Sequence, residues 1–385
     1  MKQLHQLFYI YTVFLLFFFW RTADFWLNNR YGDVKNAGIL LYIGLVGVEL
    51  ITLHLILSSP SFNKHDYWIH RLCLLWEAVM LFVLIYNKDP FVAYFKCLAW
   101  PLFFESAYLF VRWNYNFLKS FRKVYYLLVF GGAVIFFRAL FIRSFGSQTN
   151  MIYFMLLPVP VIFLFQKRKI RNVILVFMTF FAFLSMKRSM LLAIVLFWGL
   201  VGFKYLFERG KRTMAIVLVV IIAATAYGSF RVVDNVSSGY LSSRLVTDED
   251  TDITNGRELI YTITWNMIEQ SSPMHLIFGH GHNAVRSDSI LNISAHNEFL
   301  EIIYDYGIVI FLLYLGLWVY VIRQWLYHYS HDTTFFIPYT LSICIFAVMA
   351  MVSELVIYVS YFLYLVMFWG MVGAAKEIDE IKQNI

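Results

Sequence analysis

Apolar residues recur along this chain in nearly continuous blocks close to the length of a bilayer crossing, among them Gly38–Leu57, Val124–Phe141, Met190–Phe207 and Met214–Phe230. Such a block has to be a helix. Hydrocarbon offers no partner for backbone N–H and C=O groups, so each segment must satisfy its own. Composition removes the alternative of a large soluble core: with 61% hydrophobic and 14% charged residues over 385 positions, a water-facing surface around such a core could not be assembled, whereas a lipid-facing one could. The expected fold class is all-α, a polytopic integral membrane protein with about twelve transmembrane helices. The spans fall near 5–21, 37–58, 69–87, 91–111, 123–142, 151–166, 170–186, 189–208, 213–230, 298–322, 334–352 and 355–374.

The first block, Phe8–Trp20, runs into Arg21, Thr22, Ala23 and Asp24 without a small-x-small cleavage site, so it reads as a retained span rather than a signal peptide. The three cysteines, Cys73, Cys97 and Cys344, sit inside apolar blocks without metal or disulfide spacing and read as packing residues. A net charge of +7 could suggest nucleic acid, but the basic residues are dispersed over the connections between spans. They speak of topology instead. With both ends cytoplasmic, the larger share of the 31 Lys and Arg falls on the inward side, as the positive-inside rule asks. The whole chain, 1–385, reads as a single transmembrane domain, and its only long polar stretch, 231–296, becomes one large extracytoplasmic loop.

The residues able to carry chemistry gather where that loop ends. In Ser294–Gly307 a helix should begin, with Ser294 or Asn297 as cap and Glu298 and Glu301 in its first turn, where carboxylates suit the positive helix end. Glu298, Glu301 and Asp305 share a face, and His296 stands at the helix mouth. The same residues could equally serve as interfacial caps and solvating carboxylates, and the local sequence leaves both readings open. Arg188 lies on a short outward turn between two apolar blocks, where a charge near hydrocarbon is costly without a partner or a task. Arg257 opens an amphipathic stretch inside the loop. The guanidinium is a fixed, permanently charged fork suited to phosphate oxygens, although each arginine could also be a structural, snorkelling one.

Two other patterns carry less. His280 and His282, with His296, have the look of metal ligands, but the glycines around them read first as a tight turn. The run Asp248–Asp252 starts like a calcium loop, yet Ile253 stands where the turn glycine belongs and Leu259 where the closing glutamate belongs. The expectation is that no metal and no cofactor is needed.

Taken together, these features resemble the O-antigen polymerase and O-antigen ligase superfamily of bacterial envelope membrane proteins. The resemblance rests on about a dozen spans, a late outward loop, the turn at Arg188 before a long apolar helix, and a loop signature. That signature is Arg257 with its amphipathic helix, then Phe278–Gly281, then His296 and Asn297 followed after nine residues by Gly307. The ligase pattern has a small or aromatic residue three positions further on, and Ile310 departs from it.

The resemblance implies a GT-C-like, inverting, metal-independent glycosyltransferase that uses undecaprenyl-diphosphate-linked oligosaccharide. His296 would be the catalytic base, since imidazole titrates near neutrality. Arg188 and Arg257 would bind the lipid diphosphate, and Asn297, Glu298 and Glu301 would support the site. The departure at Ile310 favours a polymerase that extends a surface polysaccharide, with a ligase acting on lipid A core as the alternative. A lipid-linked oligosaccharide flippase is the alternative of another class, but no repeated halves are visible. Membrane lipid and a chain-length regulator are the partners this resemblance admits, nucleic acid is not, and the site would face the periplasm from the bacterial inner membrane.

Overall fold

The computed structural model describes residues 2–28, 34–58, 67–86, 90–142, 152–164, 168–185, 187–207, scattered positions from 213 to 235, 256–352 and 359–383. Among them every regular element is helical. In chain order they are α1 (Lys2–Asn28), α2 (Val34–Ser58), α3 (Tyr67–Tyr86), α4 (Pro90–Trp113), α5 (Asn116–Ile142), α6 (Ile152–Leu156), α7 (Val159–Ile162), α8 (Arg168–Leu184) and α9 (Arg188–Phe207). Past the loop follow α10 (Arg257–Glu269), α11 (Pro273–Phe278), α12 (Ala284–Asp288), α13 (Glu298–Ser330), α14 (Phe336–Val352) and α15 (Val359–Gln383). Lys2–Trp20, Asn116–Phe141, Arg188–Phe207 and Glu298–Ser330 are long and apolar enough among the described residues to cross a membrane. Large side chains such as Leu57, Phe130, Phe141, Val195 and Phe207 are mostly exposed at the surface of the protein. That is a cost in water and a requirement in lipid. The chain is an all-α polytopic membrane protein.

The described chain divides into two compact units. The first holds residues 1–124, 256–327 and 349–385, and the second holds 125–255 and 328–348. In the first unit α4 is the hub, packed against α2, α3 and α15. Nearly every described side chain from Trp100 to Val111 is buried, as is the run Phe362–Ala375 of α15. Gly370 explains how closely these two helices approach: a Cβ there would stand 2.4 Å from the carbonyl oxygen of Phe104. Small residues at such crossings let apolar helices gain dispersion contacts that lipid cannot match.

Polar side chains in this unit pair with one another. Tyr11 meets Ser106 at 2.7 Å. His70 Nδ1 lies 2.7 and 2.9 Å from the two carboxylate oxygens of Glu105. Glu377 accepts the Tyr108 hydroxyl proton and faces Arg112 Nε at 3.3 Å. Buried polar groups left unpaired would each cost kilocalories, and these contacts avoid that cost.

In the second unit Trp198 Nε1 donates to Thr179 Oγ1 at 3.1 Å, tying α9 to α8. Lys204 donates to Asp332 at 2.6 Å and lies over the Phe336 ring. The expected span over 151–166 is not one helix. It is broken into α6 and α7 around Pro158 and Pro160, which lack the N–H that an interior turn would need.

Candidate functional site

The distinctive local structure of the first unit is a corner in α13. Gly307 has φ 80° and ψ 172°, outside the helical region, so the element is two helical arms joined at that residue. The ring distances show how sharp the corner is. Phe299 lies 6.4 Å from Phe311, 5.8 Å from Tyr314 and 6.1 Å from Trp318. On a straight helix, at about 1.5 Å per residue, Phe299 and Trp318 would stand nearly 30 Å apart. The short arm therefore folds back along the long one. The arm from Ile308 to Ser330 is still long enough for a hydrocarbon core of about 30 Å. His296, at the foot of the short arm, is brought alongside the long arm rather than beyond its end.

Two backbones cross at the corner, and this is where the glycines of the signature act. A Cβ on Gly307 would lie 2.2 Å from the Ile277 carbonyl oxygen, and one on Gly279 would lie 2.2 Å from that of Asp305. Both also have positive φ, 80° and 82°, and Gly281 has φ 121°. Gly281 N–H donates to Asp305 O at 2.9 Å and His280 N–H to Tyr304 O at 2.9 Å. The fully buried Asp305 carboxylate accepts from Asn283 N–H at 2.6 Å and Val285 N–H at 2.9 Å, fastening the start of α12. Phe278–Gly281 and Gly307 are thus two halves of one backbone clasp.

His280 and His282 belong to the same clasp. The His280 ring stacks on Tyr304 at 4.1 Å and on His275 at 4.3 Å, and its Nε2 is 2.8 Å from Ser271 Oγ. His282 Nδ1 lies 2.6 Å from the Tyr306 hydroxyl. Among the described residues no three His, Cys, Asp or Glu side chains are arranged to hold a metal ion. The acidic run Asp248–Asp252 lies outside the described residues.

Between the two halves of the clasp in sequence lies His296. It is half-buried and has φ 52°, a left-handed conformation that costs a β-carbon-bearing residue of the order of 1 kcal/mol and is tolerated best by Asn, Asp and His. The neighbours hold it there. Asn297 caps α13, its Oδ1 accepting from Phe299 N–H at 3.1 Å and Leu300 N–H at 3.2 Å. Glu301 reaches back to accept the N–H of Ala295 at 2.7 Å. Both segments flanking the histidine are pinned through their backbones, and Glu298 and Glu301 are fully buried. Of the two readings the sequence leaves open, the one in which these carboxylates solvate an emerging helix does not fit, since both are inside the protein.

Arg257 begins α10 behind Gly256, whose φ of 77° turns the chain into the helix. One turn on, on the same face, Tyr261 directs its hydroxyl at the carbonyl oxygens of Met351, 2.8 Å, and His296, 3.4 Å. Further along, Ile268 packs with Ala284, Val285, Ala295 and Tyr304. The arginine-bearing helix is thereby docked on the histidine segment. Tyr261 was not singled out in the sequence, although its place one turn after Arg257 was the available signal. Arg188 opens α9 in the second unit, straight after the short turn from α8.

Comparison with known proteins is consistent with this architecture. Residues 173–315 match a family model described as O-antigen ligase, a stretch that contains Arg188, Arg257, the clasp and His296 through Gly307. No curated protein and no solved structure matches. The family match supports placing the chain in the O-antigen polymerase and ligase superfamily, and points to a glycosyltransferase-like function of that general type.

Proposed function

We propose that this membrane protein is a polymerase of a surface polysaccharide such as O-antigen. It would transfer a growing undecaprenyl-diphosphate-linked glycan onto the terminal sugar hydroxyl of a new lipid-linked repeat unit. The observation that carries the reading is a half-buried imidazole whose flanking backbone is pinned on both sides, inside a stretch that matches the O-antigen ligase family. A base has to be placed before it can act, and rigid placement is what converts a weak group into an effective one.

In this reading His296 accepts the proton of the acceptor hydroxyl as its oxygen attacks C1 of the donor sugar. The bond from C1 to the diphosphate oxygen breaks on the opposite side, and its electron pair leaves with the lipid diphosphate. Arg257 and Arg188 stabilise the charge that grows on the leaving phosphate. A single displacement inverts the anomeric centre and requires no covalent enzyme intermediate. Because the diphosphate is already an activated leaving group, neither nucleotide nor metal is needed, which suits a site facing the periplasm from the inner membrane. Glu301, Asn297 and Tyr261 position the histidine through backbone atoms, and Glu298 completes the buried acidic face.

The ligase reading keeps the same donor and chemistry and changes only the acceptor, to lipid A core. It is favoured by the description of the matching family model. The polymerase is favoured by Ile310, a fully buried residue on the first turn after the corner, where the ligase pattern has a small or aromatic one.

The test is to incubate purified protein in nanodiscs with its lipid-diphosphate-linked repeat unit alone and to separate the products by size. A ladder of lengthened glycans is the expected result. Product that forms only after lipid A core is added would make the protein a ligase. No product under either condition would overturn both readings and reopen transport of lipid-linked oligosaccharide.

A further inference from the structure

In the first unit three elements leave a cavity of about 130 Å³, lined by Trp68, Tyr320, Arg323, Gln324, Tyr327 and Lys376. Trp68 stands at the start of α3, Tyr320 to Tyr327 lie near the end of the long arm of α13, and Lys376 is on the last turns of α15. Two cations from different helices converge here, and no carboxylate is in the lining. Each cation is held over a ring face: Arg323 lies 5.7 Å from the centre of Trp68, and Lys376 lies 4.2 Å from that of Tyr327. Trp68 packs edge-on against Tyr320 at 5.8 Å, and the buried Gln324 brings an amide to the wall.

The nearest acidic neighbour in sequence is directed elsewhere. Glu377 is engaged by the Tyr108 hydroxyl and the Arg112 guanidinium and does not line the cavity. Aromatic rings with Lys and Arg commonly mark the level of lipid headgroups, but scattered snorkelling side chains do not share a cavity. Here the two charges line one partly open cavity, with ring faces setting their positions and a buried amide in the wall.

We propose that this cavity binds the phosphate of an anionic membrane-lipid headgroup, with Arg323 and Lys376 as the charged ligands and Gln324 as the neutral donor. A guanidinium and an ammonium lining one cavity suit a phosphodiester, whose charge is spread over two oxygens. None of the residues assigned to the proposed transfer chemistry lines this cavity, and the proposal does not depend on that chemistry.

The experiment is native mass spectrometry of the purified full-length protein, titrated with phosphatidylglycerol or with phosphatidylcholine. Wild-type protein should retain phosphatidylglycerol about tenfold more strongly, and R323Q/K376Q should lose that preference. Because Arg323 is exposed, R323Q alone should remove part of the preference without threatening the fold, and R323K should keep most of it. Equal retention of the two lipids by wild-type protein, or an unchanged preference in the double variant, would overturn the proposal. Added inorganic phosphate separates the sources. Weak displacement at millimolar phosphate supports a lipid headgroup, and phosphate binding as tight as the lipid's would overturn the lipid assignment.

Discussion

His70 and His296 both lie in the first unit and both have glutamates for neighbours, but they are held in opposite ways. His70 is buried at 4% exposure, its Nδ1 shared between the two oxygens of Glu105 and its ring against Tyr108. Its carboxylate partner takes up Nδ1 deep among buried side chains. His296 is half-buried, and Glu301 beside it accepts from the backbone of Ala295. A search for the best His–Glu pair would select His70. The difference teaches that a direct, enclosed carboxylate pair is a way to satisfy a buried imidazole, whereas the histidine proposed as the base is positioned through the main chain around it.

The largest expected effect sharpens this contrast. His296→Asn retains a residue that tolerates the left-handed backbone and removes the imidazole. Turnover of the lipid-linked substrate should fall by roughly 10²–10⁴-fold with an unchanged thermal midpoint. His70→Leu should do the reverse, leaving Glu105 buried without its partner at a cost of about 2–4 kcal/mol, while the folded fraction keeps near-normal activity. Activity assays on material normalised by size-exclusion chromatography would read both. A folded, inactive His70→Leu protein would break the comparison.

The next effect separates two glycines that share a positive φ. Gly307→Ala combines backbone strain with a Cβ 2.2 Å from the Ile277 carbonyl oxygen, which no side-chain movement relieves, and should cost more than about 3 kcal/mol or prevent folding. Gly256→Ala, at φ 77° with nothing within 4 Å, should cost only about 1 kcal/mol. Thermal shifts measured on the two proteins side by side would test this, and equal losses would mean that the clasp is not a close backbone crossing.

The smallest effect concerns Glu301. Glu301→Gln keeps an oxygen for the Ala295 N–H and should remain close to wild type. Glu301→Ala leaves that buried donor unmet, at about 1–3 kcal/mol, and should lower kcat more than it raises KM. If Gln and Ala behave alike, the carboxylate acts by charge and not by holding the loop.

Much of the candidate site is legible in the sequence because its residue types are rare in an apolar chain. A histidine, an N-capping asparagine and acidic residues at i, i+3 and i+7 stand out at the edge of a hydrophobic block, and Arg257 announces the start of a helix. What periodicity could not show was the reversal at Gly307, because a glycine among apolar residues looks the same in a straight helix and at a corner. Nor could it show that Asp305 fastens residues 283–285, or that His280 and His282 lean on Tyr304 and Tyr306. These are contacts between segments about twenty residues apart, and spacing along one strand of sequence carries no record of them.

The sequence by itself determined the solvent of this protein and the shape of its elements, because long, predominantly apolar blocks in hydrocarbon have no alternative to the helix. It also determined which few polar residues could bear chemistry. Only the tertiary structure decided how those residues are used. It turned the carboxylates of α13 inward, made the motif glycines a crossing of two backbones, and gathered Arg323 and Lys376 around one cavity. The physical reason is that helix formation is a local balance of hydrogen bonds and hydration, whereas the use of a buried carboxylate, a glycine or a cation depends on which distant atom packs against it.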